Sequence, residues 1–245
     1  MKAMILAAGR GERMRPLTDA CPKPLLRVRG KALIEWHLER LARGGVREVV
    51  INTAWLEEQI VAALGDGARF GLAIRYSLEG RDHGGALETA GGLKKALPLL
   101  ALAADEPFWY VAADVFAPGF DFGATAAGAI RPGQLGHLWM VANPPQHPGG
   151  DFGIADDGLA VAGRPGASFT WSGIGIFRPG FVTELMGDFE AGAKARLRPY
   201  LDAAIAQRRL GATRWTGDWA DVGTPQRLRA LDAAFQRFFQ KTGGY

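Results

Sequence analysis

Met4-Ile5-Leu6-Ala7-Ala8-Gly9-Arg10-Gly11-Glu12-Arg13-Met14-Arg15-Pro16-Leu17-Thr18 stands near the start of the chain, with Pro22-Lys23-Pro24-Leu25 a few residues on. Residues 2–7 form an apolar run of strand length bounded by glycine, the pattern of a buried strand. In open α/β sheets ligands bind at the carboxyl ends of such strands. Gly9 and Gly11 have no Cβ, so the backbone there can approach a ligand closely. Arg10, Arg13 and Arg15 surround them, and Lys23 is held between two prolines whose rings restrict φ. Glycine, guanidinium and a fixed ammonium at one strand tip predict a site for a phosphate-bearing ligand.

The loop fits neither of two common phosphate motifs. A dinucleotide fingerprint needs glycine or alanine where Met14 stands, and a Walker A loop needs a following Gly-Lys-Ser/Thr. A plain strand-to-helix turn would account for Gly9 and Gly11. It leaves the cluster of Arg10, Glu12, Arg13, Arg15 and Lys23 unexplained.

Outward from this loop, β and α patterns alternate. Leu33–Arg43 has helical spacing, with Leu33, Ile34, His37, Leu38 and Leu41 on one face and Gly44-Gly45 as its stop. Residues 48–52 read as a β-branched strand, 56–64 as a helix, 72–77 as a strand, 90–100 as a helix stopped near Pro98, and 108–113 as a strand. This alternation predicts an α/β fold: a Rossmann-like, mostly parallel but mixed sheet flanked by helices. Beyond it, turn-rich stretches at 143–153 and 163–167 separate strand-like pieces at 136–142 and 169–177. They suggest a smaller β-rich part appended to the first half. Residues 224–239 have helical spacing with Leu228, Leu231, Phe235 and Phe238 on one face, a packing helix. The organisation expected is one domain over 1–245. Its parts are 1–135 around the glycine loop, 136–223 with a second pocket, and 224–245, a helix and tail.

Composition narrows the class. The chain has 245 residues, enough for one sizeable α/β core, and its 48% apolar and 22% charged content is ordinary for a globular protein. The net charge of +4 comes from dispersed residues, without the basic stripe and interleaved aromatics of a nucleic-acid binder. No apolar run approaches the ~18–20 residues of a membrane span, and a secretory leader is not legible. A single cysteine, Cys21, excludes an internal disulfide framework. A cytoplasmic protein is expected, monomeric or a small homo-oligomer, without nucleic-acid or membrane partners.

Residues 6–18 and 22–25 resemble the signature of the sugar-phosphate nucleotidyltransferases. The resemblance continues through Glu88-Thr89-Ala90-Gly91-Gly92, Asp114-Val115, Ser172-Gly173-Ile174-Gly175 and Trp219-Ala220-Asp221-Val222-Gly223-Thr224-Pro225. It implies a nucleoside triphosphate and a sugar 1-phosphate as substrates, and Mg²⁺ as cofactor. An oxygen of the sugar phosphate attacks the α-phosphorus and pyrophosphate leaves. Arg15 and Lys23 would be catalytic. Ala8, Gly9, Gly11, Glu12, Arg13, Lys23, Glu88 and Gly91 would hold the nucleotide. Asp114 and Asp221 would ligate the metal. Asn143, Asp151, Ser172, Gly173 and Arg164 would hold the sugar phosphate, with Trp171 and Phe152 packing on its ring or simply in the core. Chain length, Asp151-Phe152-Gly153 and the Trp-x-Asp-Val-Gly-Thr-Pro segment favour UTP and N-acetylmuramate 1-phosphate, as in cell-wall recycling. Mannose 1-phosphate with GTP, and glucose 1-phosphate with a thymidine or uridine nucleotide, stay open.

Three departures stand out. Ala112-Ala113 replaces the Asn-Gly that commonly precedes the metal aspartate. Residues 79–85 carry an insertion, Arg81-Asp82-His83-Gly84-Gly85. Gly163-Arg164-Pro165 stands where many relatives have Glu-Lys-Pro. A catalytically silent nucleotide-binding module is therefore a second expectation; retention of Arg15, Lys23, Asp114 and Asp221 argues against it. A fused acyltransferase β-helix is not supported, because no hexapeptide repeat occurs.

Overall fold

In the computed structural model, residues 1–241 are described apart from 101, 104, 164, 165, 188 and 191, and for 234–241 the backbone alone. The apolar run at the start becomes strand β1 (Lys2–Leu6), in the middle of a seven-stranded sheet. Its neighbours are β2 (Glu48–Thr53) and, on the other side, β4 (Phe108–Ala112); β3 (Ala73–Leu78) lies outside β2. Beyond β4 come β6 (Thr170–Phe177), β5 (Gly136–Val141) and β7 (Leu210–Arg214), giving the order β7-β5-β6-β4-β1-β2-β3. All pairings are parallel except those of β6, which runs antiparallel to both β4 and β5. The sheet is mixed, as expected.

Burial on both faces explains the unbroken apolar strands. Ala3 and Ile5 face one layer, where Trp109, Phe120, Phe122 and Trp139 interlock with ring centroids 4.7–6.0 Å apart. Helix α1 (Leu33–Arg43) covers this layer through Ile34, Leu38 and Leu41, on the boundaries its spacing predicted. Its first turn is capped by Glu35, whose carboxylate accepts the Ala32 N–H at 3.0 Å. It stops at Gly44, where a Cβ would sit 2.6 Å from the Phe122 backbone. Helix α2 (Glu57–Leu64) adds Ile60 and Leu64 to the same layer. On the opposite face Met4, Phe108 and Tyr110 pack under helices α3 (Glu88–Leu100) and α4 (Arg198–Ala206). Helix α5 (Pro225–Lys241) places Leu228 and Leu231 against Met14, Val28 and Phe116. The expected positions of Phe235 and Phe238 on that face lie outside the described side chains.

Three local expectations change. The pieces at 136–142 and 169–177 are not appended structure but strands β5 and β6 of the main sheet. Ile174 to Phe177 pair directly with β4, which joins the two halves of the chain in one sheet. Between β5 and β6 the separate β ribbon is Phe152–Ile154 with Ala160–Ala162. Helix α3 passes through Pro98 to Leu100, since a proline three residues from the end interrupts little of the hydrogen-bond ladder and Leu100 is buried. Residues 79–85, read as a loop, contain a short helix, Glu79–His83. No helix among the described residues is long and apolar enough to cross a membrane.

Candidate active site

Leu6, the last residue of β1, pairs with Asn52 on one side and Ala112 on the other. The chain then leaves the sheet as the glycine loop. Gly11 takes φ +68°, and a Cβ there would meet Thr18 at 3.1 Å and Lys23 at 3.2 Å. Glycine is needed for both reasons. Thr18 donates its hydroxyl to the Gly11 carbonyl at 2.9 Å, closing the loop. The next turn, Glu12–Met14, buries Met14 completely and leaves Glu12 and Arg13 exposed. A single apolar anchor thus presents a ring of charged side chains. Arg10 lies over the Trp55 ring at 3.8 Å. Arg15 pairs with Asp19 at 2.7 Å.

Lys23 sits in a turn, Lys23–Leu25, and its side chain is 9% exposed. Its Nζ donates to Asp114 Oδ2 at 2.6 Å, across 91 residues of sequence. This charge-assisted bond brings together the two residues that sequence reading placed in separate roles. Asp114 follows β4 and leads into Val115–Phe116, which pairs antiparallel with Ala220–Asp221. Val115 faces Asp221 in that ladder, and Val222 N–H reaches the Asp114 carbonyl at 3.2 Å. The ladder is why Asp114 and Asp221 share one end of the sheet. Asp221 Oδ2 accepts from Arg227 at 2.5 Å. Beneath the ladder, buried His37 holds the Val115 carbonyl through Nε2 at 2.8 Å. Burial depresses the His37 pKa to about 4, so the ring is neutral and donates Nε2–H.

A cleft of about 720 Å³ opens at Lys23 and Asp114, and Asp221 is not among its lining residues. The glycine loop, Lys23, Asn52, Glu88, Tyr110 and Asp114 are among its lining residues. Ala8, Gly9, Gly11, Glu12, Arg13 and Lys23 all line it. Glu88 does too, with φ +61°, left-handed for a non-glycine residue. Gly91 does not line it. A Cβ at Gly91 would lie 2.5 Å from the Ala193 carbonyl, and its N–H goes to Ala195 at 3.2 Å; its small size serves helix packing. Arg15 is also outside the lining. A second cavity of about 810 Å³ adjoins the loop and shares Ala8, Arg10 and Ala86 with the first; Trp55, Glu57 and Arg81 lie on its wall.

The residues expected on the sugar side do not line the cleft. Asn143 donates to the Pro148 and Ser168 carbonyls at 3.1 and 3.0 Å and accepts from the Thr170 hydroxyl at 3.0 Å. Asp151 accepts the Trp171 N–H at 2.8 Å and meets His147 Nε2 at 3.1 Å. Ser172 is fully buried and accepts the Ile174 N–H at 3.2 Å. Gly173 has φ +80°, and a Cβ there would meet the Ala112 methyl at 2.9 Å. It sits where the β5–β6 register shifts, so the bulge and the Ala112 departure face each other. Arg164 lies outside the described residues. Trp171 stacks on Tyr110, centroids 5.2 Å apart, and donates to the Ile174 carbonyl at 2.8 Å. It is the aromatic link between this region and the cleft wall. Phe152 is buried in the core.

Sequence reading missed Asn52, Glu79 and Tyr110. Asn52 follows the apolar run Val49–Ile51 near the end of β2, which was the available signal. Tyr110 is hidden in an aromatic strand whose period reveals nothing of which ring meets the ligand space.

Comparison with known proteins agrees with this geometry. The family model described as nucleotidyl transferase matches residues 2–237. An N-acetylmuramate alpha-1-phosphate uridylyltransferase of Neisseria meningitidis serogroup B is 49% identical over 239 residues, covering 95% of this chain and 97% of that protein. One of the same name from Caulobacter vibrioides is 34% identical over 94% of this chain and 95% of its own. A solved structure from Bacillus anthracis, provisionally assigned as a glucose-1-phosphate thymidylyltransferase in complex with a sucrose, superposes with TM-score 0.81 over 96% of this chain and 94% of its own. At 19% identity it speaks for the fold alone. The chain belongs to the nucleotidyl transferase family.

Proposed function

We propose that the chain transfers a uridylyl group from UTP to N-acetylmuramate 1-phosphate. A phosphate oxygen of the sugar attacks the α-phosphorus, a new P–O bond forms, and the bond to the bridging oxygen of the leaving pyrophosphate breaks. The observation that carries this reading is the Lys23–Asp114 pair opposite the glycine loop, a fixed cation and a carboxylate in one cleft. Transfer of this kind depends on positioning and charge neutralisation, with no protein nucleophile. Lys23 supplies a positive point charge for the phosphates. Arg13 adds a second cation at the cleft edge, and backbone N–H groups at Gly9 and Gly11 offer hydrogen bonds. Arg15 reaches the leaving group only after parting from Asp19.

Asp114 and Asp221 fit Mg²⁺. They are two carboxylates, Asp221 on a strand paired with Val115–Phe116 and Asp114 just before that strand. Mg²⁺ takes one or two carboxylates and completes its shell with water and substrate phosphates. When bound it would offset the repulsion between two anionic substrates. In this reading residues 1–135 mainly hold the nucleotide and 136–223 mainly the sugar phosphate. The choice of UTP and N-acetylmuramate 1-phosphate rests on the two relatives of that name aligned over almost the whole chain. That substrate pair suits a cytoplasmic enzyme of cell-wall recycling.

The test is a panel of four nucleoside triphosphates against sugar 1-phosphates, read by pyrophosphate release. UTP with N-acetylmuramate 1-phosphate is expected to give the highest kcat/KM. Preference for GTP with mannose 1-phosphate overturns the substrate assignment. Triphosphate binding without turnover of any pair supports the silent module instead.

A further inference from the structure

Two polar side chains that the proposed reaction leaves unused are buried at the cleft, Asn52 in its lining and Glu79 behind it. Asn52 is 2% exposed and Glu79 0%. Asn52 Oδ1 accepts the Ala7 N–H at 2.9 Å, at the root of the glycine loop. Asn52 Nδ2 donates to Glu79 Oε1 at 2.7 Å. Glu79 Oε2 accepts the Leu87 N–H at 2.8 Å. One continuous chain of hydrogen bonds therefore runs from Ala7 to Leu87, through the sheet edge.

Its two ends are the two walls of the cleft. Ala7 precedes Gly9. Leu87 precedes Glu88, which lines the cleft in a left-handed conformation that needs holding from outside. The neighbouring helix makes room for the chain. A Cβ on Gly92 would fall 2.5 Å from both Asn52 Nδ2 and Glu79 Oε1. A glycine inside a helix costs stability, and here it admits the Asn52–Glu79 pair. Burying a carboxylate is also costly unless its oxygens are hydrogen-bonded, and each Glu79 oxygen takes one N–H.

We propose that Asn52 and Glu79 form a buried positioning relay that fixes residues 87–89 against the glycine loop and so sets the affinity for the nucleoside triphosphate. The relay rests on the reading of this cleft as the triphosphate site. It does not touch the sugar phosphate, and Glu79 acts through the backbone it holds.

The polarity of the relay makes it testable. In Glu79→Gln one carboxamide end becomes a donor and faces either the Asn52 amide or the Leu87 N–H, donor against donor. The double variant Asn52→Asp with Glu79→Gln restores every bond. The carboxylate then at position 52 accepts from the Ala7 N–H and from the carboxamide at position 79, whose oxygen in turn accepts from the Leu87 N–H. For Glu79→Gln the KM for UTP and the calorimetric Kd for UTP are expected to rise about tenfold or more, as for one buried group left unpaired. The KM for the sugar phosphate is expected to stay within about twofold. The double variant is expected to recover UTP affinity to within about threefold of wild type. An unchanged UTP affinity in Glu79→Gln overturns the proposal. So does an equal rise in both KM values, which is general loosening, and so does a double variant no better than the single. If Glu79→Gln does not fold, the double variant decides alone: folded with near-wild-type UTP affinity supports the relay, and impaired affinity overturns it. A wild-type chain that binds UTP but turns over nothing counts against the proposed reaction and leaves the relay testable by calorimetry. A wild-type chain that binds no triphosphate overturns both.

Discussion

The glycine-loop end of the cleft and the region of residues 143–172, which lies outside its lining, use their polar side chains in opposite ways. At the glycine-loop end, Lys23 and Asp114 reach each other across the cleft, with Glu12 and Arg13 exposed beside them. The parts that hold this end in shape are buried behind it: Met14, His37, Asn52 and Glu79. In the other region, Asn143, Asp151 and Ser172 spend their hydrogen bonds on backbone and side chains of their own segment. The difference teaches where chemistry and shape are separated. Charge stabilisation of a triphosphate needs groups with free capacity and fixed position, so support is delegated to other residues. A turn-rich segment has no such support and must brace itself with side-chain hydrogen bonds to its own backbone.

The sharpest way to break this contrast is to remove the fixed cation. Lys23→Ala is expected to lower kcat about 100- to 1000-fold, by analogy with loss of one preorganised transition-state donor. Asp114, 44% exposed, is then solvated, so the fold is expected to melt within a few degrees of wild type. Steady-state kinetics with a thermal melt checks both halves. Near-normal turnover would mean that the cation is structural, like the polar side chains of the other region. Asp221→Asn probes the same end through the proposed magnesium site. It is expected to cost several kcal/mol of transition-state stabilisation, and to raise the magnesium concentration needed for half-maximal rate. An unchanged magnesium titration removes Asp221 from the metal site.

The contrast also explains what the sequence made legible. The strand, its glycines and the cations of residues 9–23 are contiguous, so their chemistry was readable in order. The same holds for α1, whose apolar period gave both its ends. The Lys23–Asp114 bond spans 91 residues and the Asn52–Glu79 bond 27, and nothing local announces either. Asn52 was passed over because one asparagine after three β-branched residues reads as a strand end. In the other region Asn143 and Asp151 were legible as polar residues in a turn-rich stretch. Whether they face a ligand or their own backbone depends on the path of residues 143–171, which periodicity does not encode. Strands β5 and β6 were found, but their place in the main sheet was not, because pairing with β4 is a long-range choice.

Acid tests whether the two parts of the molecule respond as one body. His37 stands behind the Asp114 ladder. His137 lies on β5, near Trp139 and within 2.9 Å of the Thr213 hydroxyl. Burial lowers the pKa of each from 6.5 to about 4. Both are neutral in the folded and unfolded chain above pH ~6.5. As pH falls from 6.5 towards 4 the unfolded chain takes up protons that the folded chain refuses. Stability is therefore fully present above the unfolded value and falls as pH drops towards 4, by on the order of 3 kcal/mol per histidine at the limit. Denaturant melts from pH 7.5 to 4 check this. His37→Gln keeps a donor for the Val115 carbonyl and is expected to flatten the slope by about half. A slope that persists in full places the proton uptake elsewhere. Two separate transitions in acid would show the two parts coming apart.

The smallest effect is expected where side chains brace their own loop. Asp151→Asn keeps an acceptor for the Trp171 N–H but sets a carboxamide against His147. The cost is about 1 kcal/mol, since His147 is half-exposed and water can compensate. If the loop shapes the sugar-phosphate end, that strain is expected to raise the sugar-phosphate KM about threefold to tenfold, with the UTP KM unmoved. A KM change on the UTP side alone would reverse the assignment of the two regions. An unchanged pair of KM values with a lowered Tm would leave Asp151 a brace and nothing more. Trp171 makes the outcome informative either way. Its backbone N–H is held by Asp151, while its ring stacks on Tyr110 at the cleft wall. Changing the group that holds the N–H while leaving the ring in place separates the loop's shape from the cleft's surface, which sit on opposite sides of that one residue.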